Sequence, residues 1–230
     1  MSIELLERAA SALADLRDEV VFVGGATIVL WITDPAAPTP RPTIDVDVIV
    51  EVTTRPQLIR FDQALRDRGF REDRDSGIIG RWNHGTDLIL DAIPADASLL
   101  GFENHWQRQA LPHAQTRKLP SGTTIRAVSP PYLLATKLEA YTGRGQGDPF
   151  GSRDLTDVLA LFDGRHELTA EIAAAPTDIR TYIADQLNTF TAMPRFLDAV
   201  HGSLAPDPAS QARADTVIRP RIDAARHKPT

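Results

Sequence analysis

Thr43-Ile44-Asp45-Val46-Asp47-Val48-Ile49-Val50-Glu51 reads as a buried β-strand that carries two carboxylates. Side chains alternate along a strand, so Asp45 and Asp47 are expected on one face, with Ile44, Val46 and Val48 on the other. Two like charges on one face repel and resist desolvation unless water covers them or a cation lies between them. Oxygen-only ligands in that arrangement suit Mg²⁺, which commonly takes one or two carboxylates plus substrate phosphates. The stretch therefore predicts a metal-dependent nucleotide site.

On the amino-terminal side, Ile3, Leu5, Leu6, Ala9, Ala12, Leu13 and Leu16 recur at helical spacing, which predicts an amphipathic helix over 3–18. Val20-Val21-Phe22-Val23 follows as a short apolar strand that breaks at Gly24-Gly25, and Ala26 to Ile32 is expected to be helical. Two glycines between a strand and a helix let the backbone approach a phosphate, although such a turn is more often a plain turn. Asp34 to Pro42 holds too many prolines for a helix or central strand and is expected to be an exposed, stiff loop that delivers the chain into the Asp45 strand.

On the carboxy-terminal side, Arg55 to Gly69 reads as a helix with Pro56 in its first turn and Gly69 as its stop. Gly77–Trp82 and Asp87–Ile93 are β-rich runs around an Asn83-His84-Gly85-Thr86 turn, and Asp91 is a further carboxylate amid apolar strand residues. Residues 95–116 carry no clear pattern. Arg117–Val128 reads as a second hairpin around Pro120-Ser121-Gly122, and a helix is expected from Tyr132 to Tyr141. Thr142–Ser152 is glycine-rich and is expected to be a mobile loop before a helix over Arg153–Phe162. Further helices are expected at 169–174, 178–190 and 194–201, and beyond Pro206 a polar, loosely held tail. The fold class is thus α+β, with a mixed front and a helical back.

The chain has 230 residues, 42% hydrophobic and 24% charged, which is ordinary globular composition and enough to bury a real core. It holds no cysteine, which excludes disulfides, thiolate metal sites and a cysteine nucleophile. No leader or long apolar run is visible, so no membrane partner is expected and the reading is cytoplasmic. The net charge of -6 argues against coating nucleic acid by bulk electrostatics. A local patch is left open at Arg66, Arg68, Arg71 and Arg74, and at Arg108, Arg117, Lys118 and Arg126, each either solvated surface or a phosphate contact.

Gly24-Gly25, then Thr43-x-Asp45-x-Asp47, Lys137-Leu138-x-x-Tyr141 and Arg153-Asp154-x-x-Asp157, in that order, resemble the AbiEii and MenT group of nucleotidyltransferase toxins in the DNA polymerase β-like superfamily. The resemblance spans roughly residues 21–162. It implies a nucleotidyltransferase core over 1–128 and a helical domain over 129–230 that contributes Lys137 and Asp154 to the site. By the same resemblance Gly24 and Gly25 hold an NTP triphosphate, with Thr27 as a further contact, because Gly25 stands where many relatives have serine. Asp45 and Asp47 bind Mg²⁺, Lys137 contacts the triphosphate, and Asp154 is a catalytic or metal-linked carboxylate. Asp157 either shares that role or pairs with Arg153, and Asp91 is a candidate general base toward the acceptor hydroxyl.

The function implied is transfer of an NMP from an NTP to an acceptor hydroxyl with release of pyrophosphate. The favoured acceptor is the 3′ end of tRNA, and a toxin–antitoxin role implies a cognate antitoxin. Two alternatives stay open. One is a small-molecule or protein side-chain acceptor. The other is a non-catalytic nucleotide-binding scaffold, against which the retained charge cluster speaks.

Overall fold

Alternation between apolar and polar residues produces a seven-stranded mixed sheet in the computed structural model, which describes residues 2–100, 104–144 and 150–227. The strands are β1 (Val20–Val23), β2 (Asp45–Val50), β3 (Arg71–Glu72), β4 (Arg81–His84), β5 (Leu88–Pro94), β6 (Gln115–Lys118) and β7 (Thr124–Ala127), in the order β3-β4-β5-β2-β1-β7-β6. β2 runs antiparallel to β1 and parallel to β5, with Asp45, Asp47 and Ile49 beside Ile89, Asp91 and Ile93. β1, all apolar and buried along its length, occupies the interior of the sheet. Helix α1 (Ser2–Leu13) packs on β2 and β5 through its Leu5, Leu6, Ala9 and Leu13 stripe. Helix α2 (Arg55–Asp67) starts where the Gln57 side chain accepts from the Thr54 N–H, which satisfies an otherwise orphan donor. A short α3 (His105–Ala110) precedes β6.

The chain divides into two compact units, 1–30 with 42–129 and 31–41 with 130–230. The first holds the sheet with α1 to α3. The second holds α4 (Pro130–Arg144), α5 (Arg153–Gly164), α6 (Leu168–Ala174), α7 (Thr177–Thr191), α8 (Phe196–Gly202), α9 (Pro208–Arg213) and α10 (Arg219–Ala225). α4 packs along α5 and α7, and Tyr141, Phe190 and Phe196 stack edge to face between them and α8. Ser152 caps α5, its hydroxyl accepting from the Leu155 N–H at 3.3 Å.

Several expectations are corrected. Ile44 is 65% exposed, because the strand begins only at Asp45 and Ile44 therefore joins neither face. The segment after Gly24 is a six-residue 3₁₀ turn, Gly25–Leu30, where an α-helix over 26–32 was expected. The β-branched run Thr27, Ile28, Val29 is a poor helix former, and a tighter, shorter turn fits it. β4 extends through Asn83 and His84, so the hairpin turns at Gly85, while Gly77–Gly80 is not strand. The tail beyond Pro206 is helical, with Ala214, Ile218, Ile222 and Ala225 buried, because four small or apolar residues at helical spacing outweigh its polar average. The expected mobile loop at 142–152 begins as the end of α4, and residues 145–149 lie outside the described residues.

From Ile32 to Arg41 the segment is exposed or half-buried, while Trp31 is fully buried and the segment is anchored within the second unit. The Thr33 and Asp34 N–H groups donate to the Gly164 carbonyl at 2.8 and 3.0 Å. Arg213 then clasps Asp34 at 2.7 Å and Asp163 at 2.6 Å.

Candidate functional site

The pleat of β2 puts Asp45 and Asp47 on one face, and the parallel register Asp47↔Asp91 sets a third carboxylate directly beside them. On the opposite face Val46, Val48, Leu90 and Ala92 are buried. Carboxylates about 5 Å apart on neighbouring strands repel by about 3 kcal/mol at an effective dielectric of ~20. Arg81 answers part of that repulsion. It lies opposite Asp91 on β4, donates from Nε to Asp91 Oδ1 at 2.8 Å and from Nη2 to Asp91 Oδ2 at 2.7 Å, and reaches Asp45 Oδ2 at 3.0 Å. The hydrogen bonds it donates to Asp91, then the nearby charges of Asp91, Asp45 and Asp47, raise the guanidinium's pKa against the opposing effect of burial, so Arg81 is a permanent cation.

Gly24 closes the other side. It follows β1, adopts φ +80°, and a Cβ there would stand 1.9 Å from Asp47 Oδ2. Only glycine therefore lets the Asp47 carboxylate lie against this turn. The Gly24 carbonyl accepts from both the N–H and the hydroxyl of Thr27, at 3.2 and 2.8 Å, and Thr27 is fully buried. Thr27 thus braces the turn from beneath.

A cavity of about 720 Å³ opens at the same end of the sheet. Thr43, Asn83 and Ile89 line it from the strands, and Glu4, Arg8 and Asp87 from its rim. The Thr43 hydroxyl is buried there with no hydrogen-bond partner.

The second unit holds the remaining expected residues. Lys137 on α4 is only 7% exposed, and its Nζ lies 3.1 Å from Asp154 Oδ1 and 2.7 Å from Asp157 Oδ2 on α5. Asp157 is 1% exposed and receives both Nε and Nη2 of Arg41 at 2.8 Å. Two cations and two carboxylates make a neutral buried network, which is why four charges tolerate burial. Asp157 accordingly pairs with Lys137 and Arg41, so of its two expected alternatives the pairing with Arg153 is not the one formed, and it shares Lys137 with Asp154. The structure thus gathers Gly24, Thr27, Asp45, Asp47 and Asp91 in the first unit, and Lys137, Asp154 and Asp157 in the second.

Sequence reasoning passed over Arg81 and Arg41. A cation in the strand phase opposite Trp82 was the available signal for Arg81, and a lone cation between Pro40 and Pro42 was the signal for Arg41. The arginines weighed as a nucleic-acid patch are largely engaged with acids: Arg68 with Asp15, Arg66 and Arg74 with Glu72, Arg126 with Glu51.

Among the described residues no three His, Cys, Asp or Glu side chains are arranged as a complete metal cage. A cage is not what Mg²⁺ requires, since it keeps several waters and uses one or two carboxylates with substrate phosphates. Three aspartates and one arginine leave two negative charges on the β2 face, which matches a divalent cation. The donor set fits.

A mixed sheet that aligns aspartates beside a glycine turn, with helices following, defines a protein of the nucleotidyltransferase class. The chain belongs to the AbiEii family: the model for the nucleotidyl transferase AbiEii toxin of type IV toxin–antitoxin systems matches residues 4–228, nearly its whole length. No curated protein matches it. Family membership makes it a nucleotidyltransferase and the toxin of a toxin–antitoxin pair, with a nucleotide substrate and an antitoxin partner. Among the described residues no helix is long and apolar enough to cross a membrane.

Proposed function

We propose that this toxin is a Mg²⁺-dependent, cytoplasmic enzyme that moves an NMP from an NTP to the 3′ hydroxyl of tRNA and releases pyrophosphate. The observation that carries the reading is the shared face of Asp45, Asp47 and Asp91, with Asp47 pressed against Gly24. In this reading 1–128 is the nucleotidyltransferase core and 129–230 the helical domain.

Asp45 and Asp47 hold the metal. When bound, Mg²⁺ screens the triphosphate and offsets the negative charge that develops on the leaving pyrophosphate. Gly24 and Gly25 are assigned to the triphosphate through their backbone N–H groups, while Thr27 keeps the turn in shape. By the family motif Lys137 is assigned to the triphosphate, and Asp154 and Asp157 orient its ammonium. The acceptor oxygen forms a bond to the α-phosphorus as the bond from that phosphorus to the β-phosphate oxygen breaks. Pyrophosphate takes the electron pair, and the hydroxyl proton passes to water. Asp91 is the alternative acceptor for that proton, since each of its oxygens keeps a lone pair beyond the bond from Arg81.

Purified protein incubated with each labelled NTP and total tRNA is expected to label tRNA, and Asp47→Ala is expected to lose at least 100-fold of that activity. Equal labelling by the variant would overturn the reading. The alternative reading is a small-molecule or protein side-chain acceptor. Label transfer to small hydroxyl compounds but not to tRNA would decide for it.

A further inference from the structure

In sites that hold two metals, the ions sit about 3.5–4 Å apart and stabilise both the attacking and the leaving oxygen, with carboxylates to neutralise them. Here the space between two of the three carboxylates is taken by a side chain. Arg81 Nη2 lies between Asp91 Oδ2 at 2.7 Å and Asp45 Oδ2 at 3.0 Å. We infer that Arg81 is a built-in cation standing where a second metal would go, so that the site takes a single divalent ion, at Asp45 and Asp47.

The inference rests on the metal-dependent reading above and adds the number of ions. Three independent observations support it. First, charge: three aspartates demand three positive charges, which one divalent ion and one guanidinium supply, whereas two divalent ions together with Arg81 overshoot by two. Second, geometry: a planar guanidinium that meets one carboxylate with two parallel N–H bonds and a second carboxylate with the same Nη2 fills the approach to both Oδ2 atoms. Asp45 meets the guanidinium through Oδ2, and its strand neighbour on the same face is Asp47. Third, the backbone is shaped to deliver this side chain. Gly80 adopts φ +84° with the Ala92 carbonyl only 2.7 Å from where a Cβ would stand, and it accepts from the Ala92 N–H at 2.8 Å. That close approach starts β4 in register with β5 and seats Arg81 directly across from Asp91. Arg81 is also well shielded, its side chain 13% exposed, so it is a fixed part of the face.

The test counts Mn²⁺ ions on the full chain without nucleotide, by equilibrium titration with electron paramagnetic resonance detection. Wild type and Arg81→Lys are expected to bind one ion per chain. Arg81→Gln, which takes the guanidinium off Asp91 and Asp45, is expected to bind two, with the spin coupling of an ion pair about 4 Å apart. Two ions on wild type, or one on Arg81→Gln, overturns the inference while leaving the metal-dependent reading in place. No ion on wild type, equal to Asp47→Asn, overturns that reading and the inference with it. Should Arg81→Gln be unfolded in metal-free buffer, millimolar Mn²⁺ is expected to restore its cooperative melt, since the second ion replaces the guanidinium. Failure of that rescue also overturns the inference.

Discussion

Gly24 carries two constraints at a single residue. Its left-handed backbone costs a non-glycine residue about 1–2 kcal/mol, and a Cβ there would collide with Asp47 Oδ2. Gly24→Ala is therefore expected to lower the melting temperature by several degrees and to reduce NMP transfer more than 10-fold. Gly122→Ala is the matched control: its φ of +90° imposes the same backbone strain, but only the flexible Lys118 side chain lies near. It is expected to lose comparable stability and to keep its transfer rate. A second residue-scale prediction concerns pH. The Arg213 hydrogen bond, with the Ala36 N–H, holds the Asp34 carboxyl below its ordinary 3.8. A carboxyl lowered on folding contributes stability that is complete above its unfolded value and is lost as pH falls through the folded one. The melting difference between wild type and Asp34→Asn is thus expected to be constant well above the ordinary 3.8 and to close as the pH falls below it. A difference that widens on acidification would contradict the assignment.

At the scale of elements, the buried network between α4 and α5 separates stability from substrate binding. Lys137→Ala removes the cation that Asp154 and Asp157 share, and removal of one member of a buried pair typically costs about 3–5 kcal/mol. A loss of that size in chemical denaturation is the expected result. Lys137→Ala/Asp154→Asn, which removes both charges of that pair, is expected to recover part of it without recovering activity. Recovery of both would assign Lys137 a purely structural role. Much of this arrangement was legible beforehand. The Lys137-Leu138-x-x-Tyr141 and Arg153-Asp154-x-x-Asp157 spacings placed both sets on helices, because helical faces are a local property. Arg41 was not legible as their partner, since 116 residues separate it from Asp157 and only tertiary packing brings them together.

At the scale of the whole molecule, the family match runs over both compact units, up to residue 228. The final helices belong to the fold: Ile218 and Ile222 are fully buried, and Arg213 clasps Asp34 and Asp163. Burying two isoleucines contributes roughly 3–6 kcal/mol. Truncation after Pro206 is accordingly expected to lower the melting temperature by 10 °C or more and to expose the second unit to limited proteolysis. An unchanged melt would show that the tail does not hold the unit together.

The sequence by itself determined whatever depends on near neighbours. Alternation in Asp45 to Val50 placed Asp45 and Asp47 on one face, helical periodicity marked α1, α2, α4, α5 and α7, and the ordered motifs pointed to the family. Periodicity misjudged the edges, where a strand begins two residues late and leaves Ile44 outside it, or where a short β-branched run winds as a 3₁₀ turn. Only the tertiary structure decided which charges meet. Parallel pairing of β2 with β5 brought Asp91 beside Asp47, and antiparallel pairing of β4 carried Arg81 onto both Asp91 and Asp45. Strand registers are long-range choices made by the buried apolar faces, so the electrostatics of the β2 carboxylates is settled by packing on the opposite side of the sheet.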